Sequence, residues 1–100
     1  MEQCILVLVV SPSIDNAMVD WLLDRDDVQG FTSASIYGHG DPHHTLSSAE
    51  QVAGRKKQVM FRMHLAEQAA REIISSIQQS FKGAAIHYWV IPMLISGHIE

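Results

Sequence analysis

The stretch that decides the fold is Gly30-Phe31-Thr32-Ser33-Ala34-Ser35-Ile36-Tyr37-Gly38-His39-Gly40. Its first eight residues are rich in strand formers and predict a β-strand, which breaks at Gly38-His39-Gly40. A polar segment follows, and Arg55-Lys56-Lys57 begins a second strand. The resulting loop, about residues 38–55, is the longest irregular segment of the chain. Loops of this length inside compact domains are usually functional or disordered, so this loop is the first place to look for chemistry.

Length, charge and cysteine content exclude several classes of protein. With 100 residues, 47% of them hydrophobic, the chain is expected to form a single domain, residues 1–100. A net charge of −4 provides no basic field to attract nucleic acid. The apolar run Ile5–Val10 is too short to span a bilayer, and no basic segment precedes it. We therefore expect a cytoplasmic protein without membrane insertion, in which the lone Cys4 is a buried apolar residue.

The residues before the loop predict a strand, a helix and a second strand. Cys4–Val10 is apolar at every position, which indicates a central strand buried on both faces. Ser13 is the expected N-cap of the helix that follows. The apolar stripe of this helix comprises Ile14, Ala17, Met18, Trp21 and Leu22.

The residues after the loop predict the same kinds of element again. Gln58–His64 alternates like a strand, with Val59, Phe61 and Met63 on its drier face. A helix starts at Ala66 and ends near Lys82, with an apolar stripe of Ala66, Ala69, Ala70, Ile73, Ile74 and Ile77. Ala84–Val90 is the expected fourth strand, and the tail, residues 93–100, is expected to add a short edge strand.

The element order βαββαβ predicts an α+β fold of the ferredoxin-like type, an antiparallel sheet with two helices on one face. Two helices cover one face of the sheet, yet Cys4–Val10 is apolar towards both. The second face therefore needs another cover, which another copy of the chain would supply.

Residues 30–40 resemble the second strand of the P-II family of signalling proteins, with Thr32, Ile36, Gly38 and Gly40 in matching positions. Ile86–Pro92 is similar to the fourth strand of that family. The resemblance implies a ferredoxin-like protomer, a homotrimer with its sheets packed inward, and a long loop that contacts partner proteins.

Two departures from the family bear on nucleotide binding. The glycine-rich turn that holds ATP or ADP in the family is here reduced to Lys82-Gly83-Ala84, and Met93, Leu94 and Ile95 replace basic residues after the fourth strand. Phosphate groups need several converging N–H donors or cations, so we expect ATP and ADP to bind weakly or not at all. The candidate residues for anion or nucleotide binding are Thr32, Gly38, Gly40, Arg55, Lys56, Lys57 and Lys82.

The central loop concentrates potential metal ligands. Of the six histidines in the chain, His39, His43 and His44 lie with Asp41 within six residues. Imidazole and carboxylate groups suit Zn, Cu(II) or Ni, although a solvated polar loop is the alternative. The chain also resembles a branch of P-II-like proteins associated with heavy-metal efflux systems, and the trimeric CutA-type proteins in general design. This resemblance implies a metal-efflux component, a membrane transporter, as the partner of the loop.

Three residues outside the loop have competing interpretations. His87 is expected to be a hydrogen-bonded core or interface residue, and Trp21 a core residue. Arg62 would need a carboxylate partner if its face is a subunit interface. A neighbouring subunit is the expected source of any further metal ligand, such as His64 or His98.

The sequence shows no catalytic residues, and we predict a regulatory or accessory binding protein that is not an enzyme. One alternative is a nucleotide-binding, nitrogen-regulatory P-II-type protein. Another is a small dimeric α+β barrel enzyme, such as a cofactor-independent monooxygenase, with His87 and Trp89 in a cavity beneath the helices. A trimer would favour the P-II-like interpretation, and a dimer with an internal cavity would favour the enzyme.

Overall fold

A computed structural model describes residues 3–40 and 55–100 of the chain. Its elements, in chain order, are β1 (Gln3–Val10), a 3₁₀ turn (Pro12–Ile14), α1 (Asp15–Leu23), β2 (Thr32–Gly38), β3 (Lys56–Ala66), α2 (Glu67–Ser80) and β4 (His87–Pro92). This order confirms the predicted βαββαβ arrangement. Within the described residues, neither helix has the length and apolar character needed to cross a membrane.

The four strands form one antiparallel sheet in the order β2-β3-β1-β4. Strand β1 lies inside the sheet, with Leu8 opposite Phe61 of β3 on one side and Tyr88 of β4 on the other. The central position predicted for the first strand is therefore confirmed. It follows from the apolar character of both its faces, since an edge position would leave part of it exposed to water.

The core lies between the sheet and the two helices. The register places one face of β1 and one face of β3 towards the helices. The face of β3 that is buried there carries Val59, Phe61 and Met63, the residues predicted to form the drier face of the third strand. The core consists of Cys4, Leu6, Leu8, Val10, Met18, Leu22, Val59, Phe61, Met63, Leu65, Ala70, Ile73 and Ile77. Burial of Cys4 confirms its predicted role as an apolar residue.

Side chains on the outside of the helices tie α1 to the end of α2. Trp21 is half-buried and meets Phe81 edge-to-face, with ring centroids 5.8 Å apart. The guanidinium of Arg25 lies 4.8 Å from the Trp21 ring centroid and donates two hydrogen bonds of 2.9 Å to the Asp27 carboxylate. Trp21 therefore packs at the margin of the core, and Arg25 shields it from solvent.

The start of the first helix differs from the prediction. Ser13 does not cap a helix, because the 3₁₀ turn Pro12–Ile14 forms first and α1 begins at Asp15. The hydroxyl of Ser13 lies 2.7 Å from that of Ser11 in a hydrogen bond. The fixed φ of Pro12 suits the first position of a helical turn, which moves the start of the turn upstream of Ser13.

The end of the chain also differs. Strand β4 begins at His87 because the preceding turn contains two left-handed residues, Gly83 (φ 86°) and Ala85 (φ 56°), which cannot continue a strand. The predicted edge strand in the tail is absent. The Met93 N–H donates to the Gln3 carbonyl at 3.3 Å, which directs the chain towards β1 and away from the free edge of β4.

Replacing Phe61 by alanine tests the core. Phe61 is fully buried between the sheet and the helices, so we expect Phe61→Ala to lower the free energy of unfolding by about 3–5 kcal/mol. Urea titration followed by circular dichroism measures the change. Lys57→Ala, on the same strand but exposed, is the matched control and should change stability by less than about 0.5 kcal/mol.

Replacing Asp27 by asparagine tests the Arg25–Asp27 ion pair. The hydrogen bonds from Arg25 lower the pKa of Asp27 in the folded state, so the pair stabilises the fold above the unfolded-state pKa of about 3.9. We expect Asp27→Asn to cost up to about 1 kcal/mol at pH 7, and the difference from wild type to vanish as the pH falls through the lowered pKa. Unfolding titrations between pH 7 and 2 measure this, with Asp26→Asn as control. A loss that persists at the lowest pH would rule out the charge interaction.

Candidate binding site at the base of the central loop

The face of the sheet opposite the helices, here called the open face, has nothing packed on it within the described residues. The register aligns its side chains in rows that cross all four strands. The middle row is Thr32, Arg62, Val7 and Trp89, and the next row is Ala34, Met60, Val9 and His87. Trp89 and Ile91 remain 42% exposed on this face although both are large and apolar. An apolar surface of this kind usually marks a binding or assembly surface.

A pocket of about 680 Å³ opens at one end of the open face, where the central loop leaves β2 and returns to β3. Gly38, His39 and Gly40 line it from one end of the loop, and Lys56 lines it from the other. His87 and Trp89 of β4 form the opposite wall, while Val9 and Met60 lie between the two walls. The pocket therefore contains the cation of Lys56, the imidazoles of His39 and His87 and the indole of Trp89, above an apolar floor.

Two contacts position the ends of the loop. The Gln58 amide lies against Gly38, in space that a Cβ at residue 38 would occupy, so glycine allows Gln58 to pack there. On the other face of the sheet, the guanidinium of Arg55 lies 4.1 Å from the Tyr37 ring centroid, in cation–π geometry. The last residue before β3 is thereby tied to the end of β2.

The candidate anion ligands do not converge on one place. Gly38, Gly40 and Lys56 line the pocket at the loop base. Thr32 lies outside this pocket, in the middle row of the open face, where it lines a separate concavity with Arg62 and His64. Lys57 is the β3 residue opposite Tyr37, Arg55 stacks on that tyrosine, and Lys82 follows α2 near Phe81. The pocket therefore holds a single lysine, fewer cations than the seven candidate residues suggested.

Of the four metal candidates, His39 is the one that lies in the described part of the chain. It sits at the rim of the pocket, whereas Asp41, His43 and His44 fall outside the described residues. Between residues 3 and 40 and between 55 and 100, no three His, Cys, Asp or Glu side chains lie close enough to hold a metal. His64, at the far end of the open face, and His98, in the tail, are both exposed.

The prediction that His87 is a core residue is wrong for the protomer, because His87 is exposed on the open face. The expectation that it lies at an interface remains a prediction. Its participation in the pocket depends on the pairing of β4 with β1, which brings it across from the loop ends. No local sequence pattern specifies that pairing, so the sequence indicates a cavity with His87 and Trp89 only beneath the helices, in the monooxygenase alternative, and not at the loop base.

The helix side of β4 forms a separate groove of about 610 Å³ against α2, lined by Tyr88 and Val90. His87 and Trp89 point to the opposite side, so they do not form the cavity beneath the helices that the monooxygenase alternative requires. The Cys4 thiol, which also lines this groove, donates a hydrogen bond of 3.4 Å to the Leu65 carbonyl. Burial, together with the Glu67 carboxylate, raises the pKa of Cys4, so the thiol stays protonated at neutral pH.

Comparison with solved structures confirms the fold. The chain is similar to a DUF3240 family protein from Shewanella baltica OS155, with a TM-score of 0.80, 17% identity and coverage of 100% of this chain and 99% of the other. It is also similar to CPII, a nitrogen regulatory PII-like protein from Thiomonas intermedia K12 bound to ADP, AMP and bicarbonate. That match has a TM-score of 0.71, 19% identity and coverage of 99% and 98%. The fold is therefore the one that PII-like proteins have, as the resemblance implied.

A comparison of the sequence with curated proteins found no match. A family model described as "protein of unknown function (DUF3240)" matches residues 1–100. Because this match spans the whole chain, the protein belongs to the DUF3240 family.

Proposed function

We propose that this protein is a PII-like regulatory or accessory binding protein, and that the pocket at the base of the central loop is its sensing site. The observation that supports this function is the position of the pocket between the two ends of the loop. Gly38, His39 and Gly40 contribute one end, and Lys56 contributes the other. A ligand in the pocket therefore contacts both points at which the loop joins the sheet.

Such a site allows a small ligand to control a protein contact. A ligand that binds one arrangement of the loop ends more tightly than another shifts the loop towards that arrangement, by its difference in affinity. The loop then presents a different surface to a partner. In this proposal the partner is a metal-efflux component, and the protein transmits the presence of a ligand without chemical conversion.

The ligand that we propose is a divalent transition metal, Zn, Cu or Ni. His39 stands at the rim of the pocket and His87 on its opposite wall, so imidazole groups approach the loop base from two strands. Asp41, His43 and His44 follow His39 directly in the sequence. Neutral imidazole and carboxylate groups are the ligands that these metals favour.

A nucleotide is the second candidate ligand. CPII, which shares the fold, is described as bound to ADP and AMP. In this protein, Trp89 offers an aromatic face for a base and Lys56 a cation for a phosphate. The pocket has one lysine, however, and a nucleotide phosphate is usually held by several donors.

The apolar open face supports a homotrimer with its sheets packed inward. Val7 and Val9 are buried there by neighbouring side chains, but Trp89 and Ile91 remain partly exposed. Burying apolar surface contributes about 25 cal/mol per Å², so covering this face with other copies of the chain gives a substantial driving force.

Titration with metals tests the sensing site. Calorimetry with Zn, Cu and Ni should show binding to wild type at pH 7.5 and affinity at least tenfold lower for a variant with His39→Ala, His43→Ala and His44→Ala. Since histidine has a pKa of about 6.5, lowering the pH to 5.5 should weaken wild-type binding by about tenfold for each histidine ligand.

Asp20→Ala is the control for this titration, because Asp20 is exposed on α1, on the side of the sheet away from the pocket. The same calorimetry with ATP, ADP and AMP separates the two candidate ligands. If the triple variant binds metal as tightly as wild type, the loop histidines are not the metal site. Micromolar binding of a nucleotide would instead favour the second candidate.

Substitutions on the two sides of β4 test the assembly. Ile91 lies on the open face and Val90 on the helix side, and they are similarly exposed, at 42% and 39%. Light scattering should return about three times the protomer mass of 11.2 kDa for wild type and for Val90→Asp, and the protomer mass for Ile91→Asp. A wild-type monomer at micromolar concentration would contradict the trimer.

A further inference from the structure

The charges on the open face are of one sign. Its permanent charges are Lys56 and Arg62, and none of the acidic residues of the described chain lies on a strand. Arg62 is exposed and forms no hydrogen bond or ion pair with any of residues 3–40 and 55–100. The open face therefore displays a permanent cation without an internal partner.

Arg62 occupies the middle row of the sheet, between Thr32 and Val7. Side chains directly opposite on neighbouring strands lie about 5 Å apart, so Arg62 is close to apolar surface on its β1 side. If another copy covers this face, the guanidinium loses much of its water. A charge buried without a partner costs several kcal/mol, so the covering surface must bring a carboxylate.

The tail, residues 93–100, also exposes large apolar side chains in the protomer. Leu94, Ile95 and Ile99 are almost fully exposed, at 101%, 88% and 99%. The acidic residue of this segment is Glu100. Met93 begins the tail at a concavity of about 560 Å³ that Arg62 and His64 also line. The tail thus leaves the protomer beside a concavity that Arg62 also lines.

The groove between α2 and β4 is the competing place for an apolar segment. Its lining includes Tyr88, Val90 and Ile74, and its cation is Arg71. Arg71 already forms an ion pair with Glu67, at 2.7 Å. A carboxylate on the docking segment would meet an already paired charge there, so charge complementarity favours the open face.

We propose that the tail of one copy lies across the open face of a second copy, with its apolar side chains against Trp89 and Ile91 and with Glu100 accepting hydrogen bonds from Arg62. This inference rests on the proposed assembly of copies through their open faces. Eight extended residues span about 26 Å, whereas four strands about 4.8 Å apart span about 14 Å, so the tail is long enough to cross the sheet.

A charge exchange tests the pairing. The variants Arg62→Glu, Glu100→Arg and the double variant are compared with wild type by sedimentation over a dilution series, after circular dichroism has shown that each is folded. We expect each single variant to raise the dissociation constant of the assembly at least tenfold. The double variant should restore it to within about threefold of wild type, because the ion pair re-forms with its charges exchanged.

Lys57→Glu is the matched control, since Lys57 lies on the same strand but opposite Tyr37, away from the open face, and should leave assembly unchanged. A double variant that assembles no better than Arg62→Glu would overturn the tail contact while the assembly of wild type stands. A wild-type monomer would overturn both the assembly and the tail contact.

Discussion

The structure depends on strand β1, which is apolar on both faces and hydrogen-bonded to a strand on each side. One face of β1 packs on the two helices together with β3, and this produces the core. The other face cannot be covered by the same helices. Val7 and Val9 are therefore shielded by cross-strand neighbours, and Trp89 and Ile91 on the same face stay partly exposed in the protomer.

The difference between the helix-covered face and the open face of the sheet connects the fold with the proposed function. The central loop joins β2 to β3 at one end of the open face, and β4 brings His87 and Trp89 to the same end. The pocket consequently lies where both ends of the central loop join the sheet, and the proposed function places ligand binding at this position. The ferredoxin-like fold is shared with CPII, but the side chains in the pocket are those of this chain.

Much of the architecture could be predicted because its signals are local. The continuous apolar run of β1, the alternation in β3 and the helical stripe of α2 each specify an element and its buried face. The errors occur where a neighbouring backbone conformation overrides the pattern. Pro12 started a turn before Ser13 could cap a helix, and the left-handed Ala85 delayed β4 to His87. The tail has strand-forming residues, but none of the described strands pairs with it.

The sequence by itself determined the element order, the central strand and the buried faces of β3 and α2, because these follow from periodicity along a few consecutive residues. It also determined that histidine and aspartate residues are concentrated in the loop. Only the tertiary structure decided that Lys56 reaches the pocket whereas Thr32, Arg55, Lys57 and Lys82 do not. It also decided that Arg62 lies between Val7 and Thr32, without a carboxylate partner among residues 3–40 and 55–100. These outcomes depend on strand order and register, which are set by packing between residues far apart in the chain and cannot be derived from the pattern of any one segment.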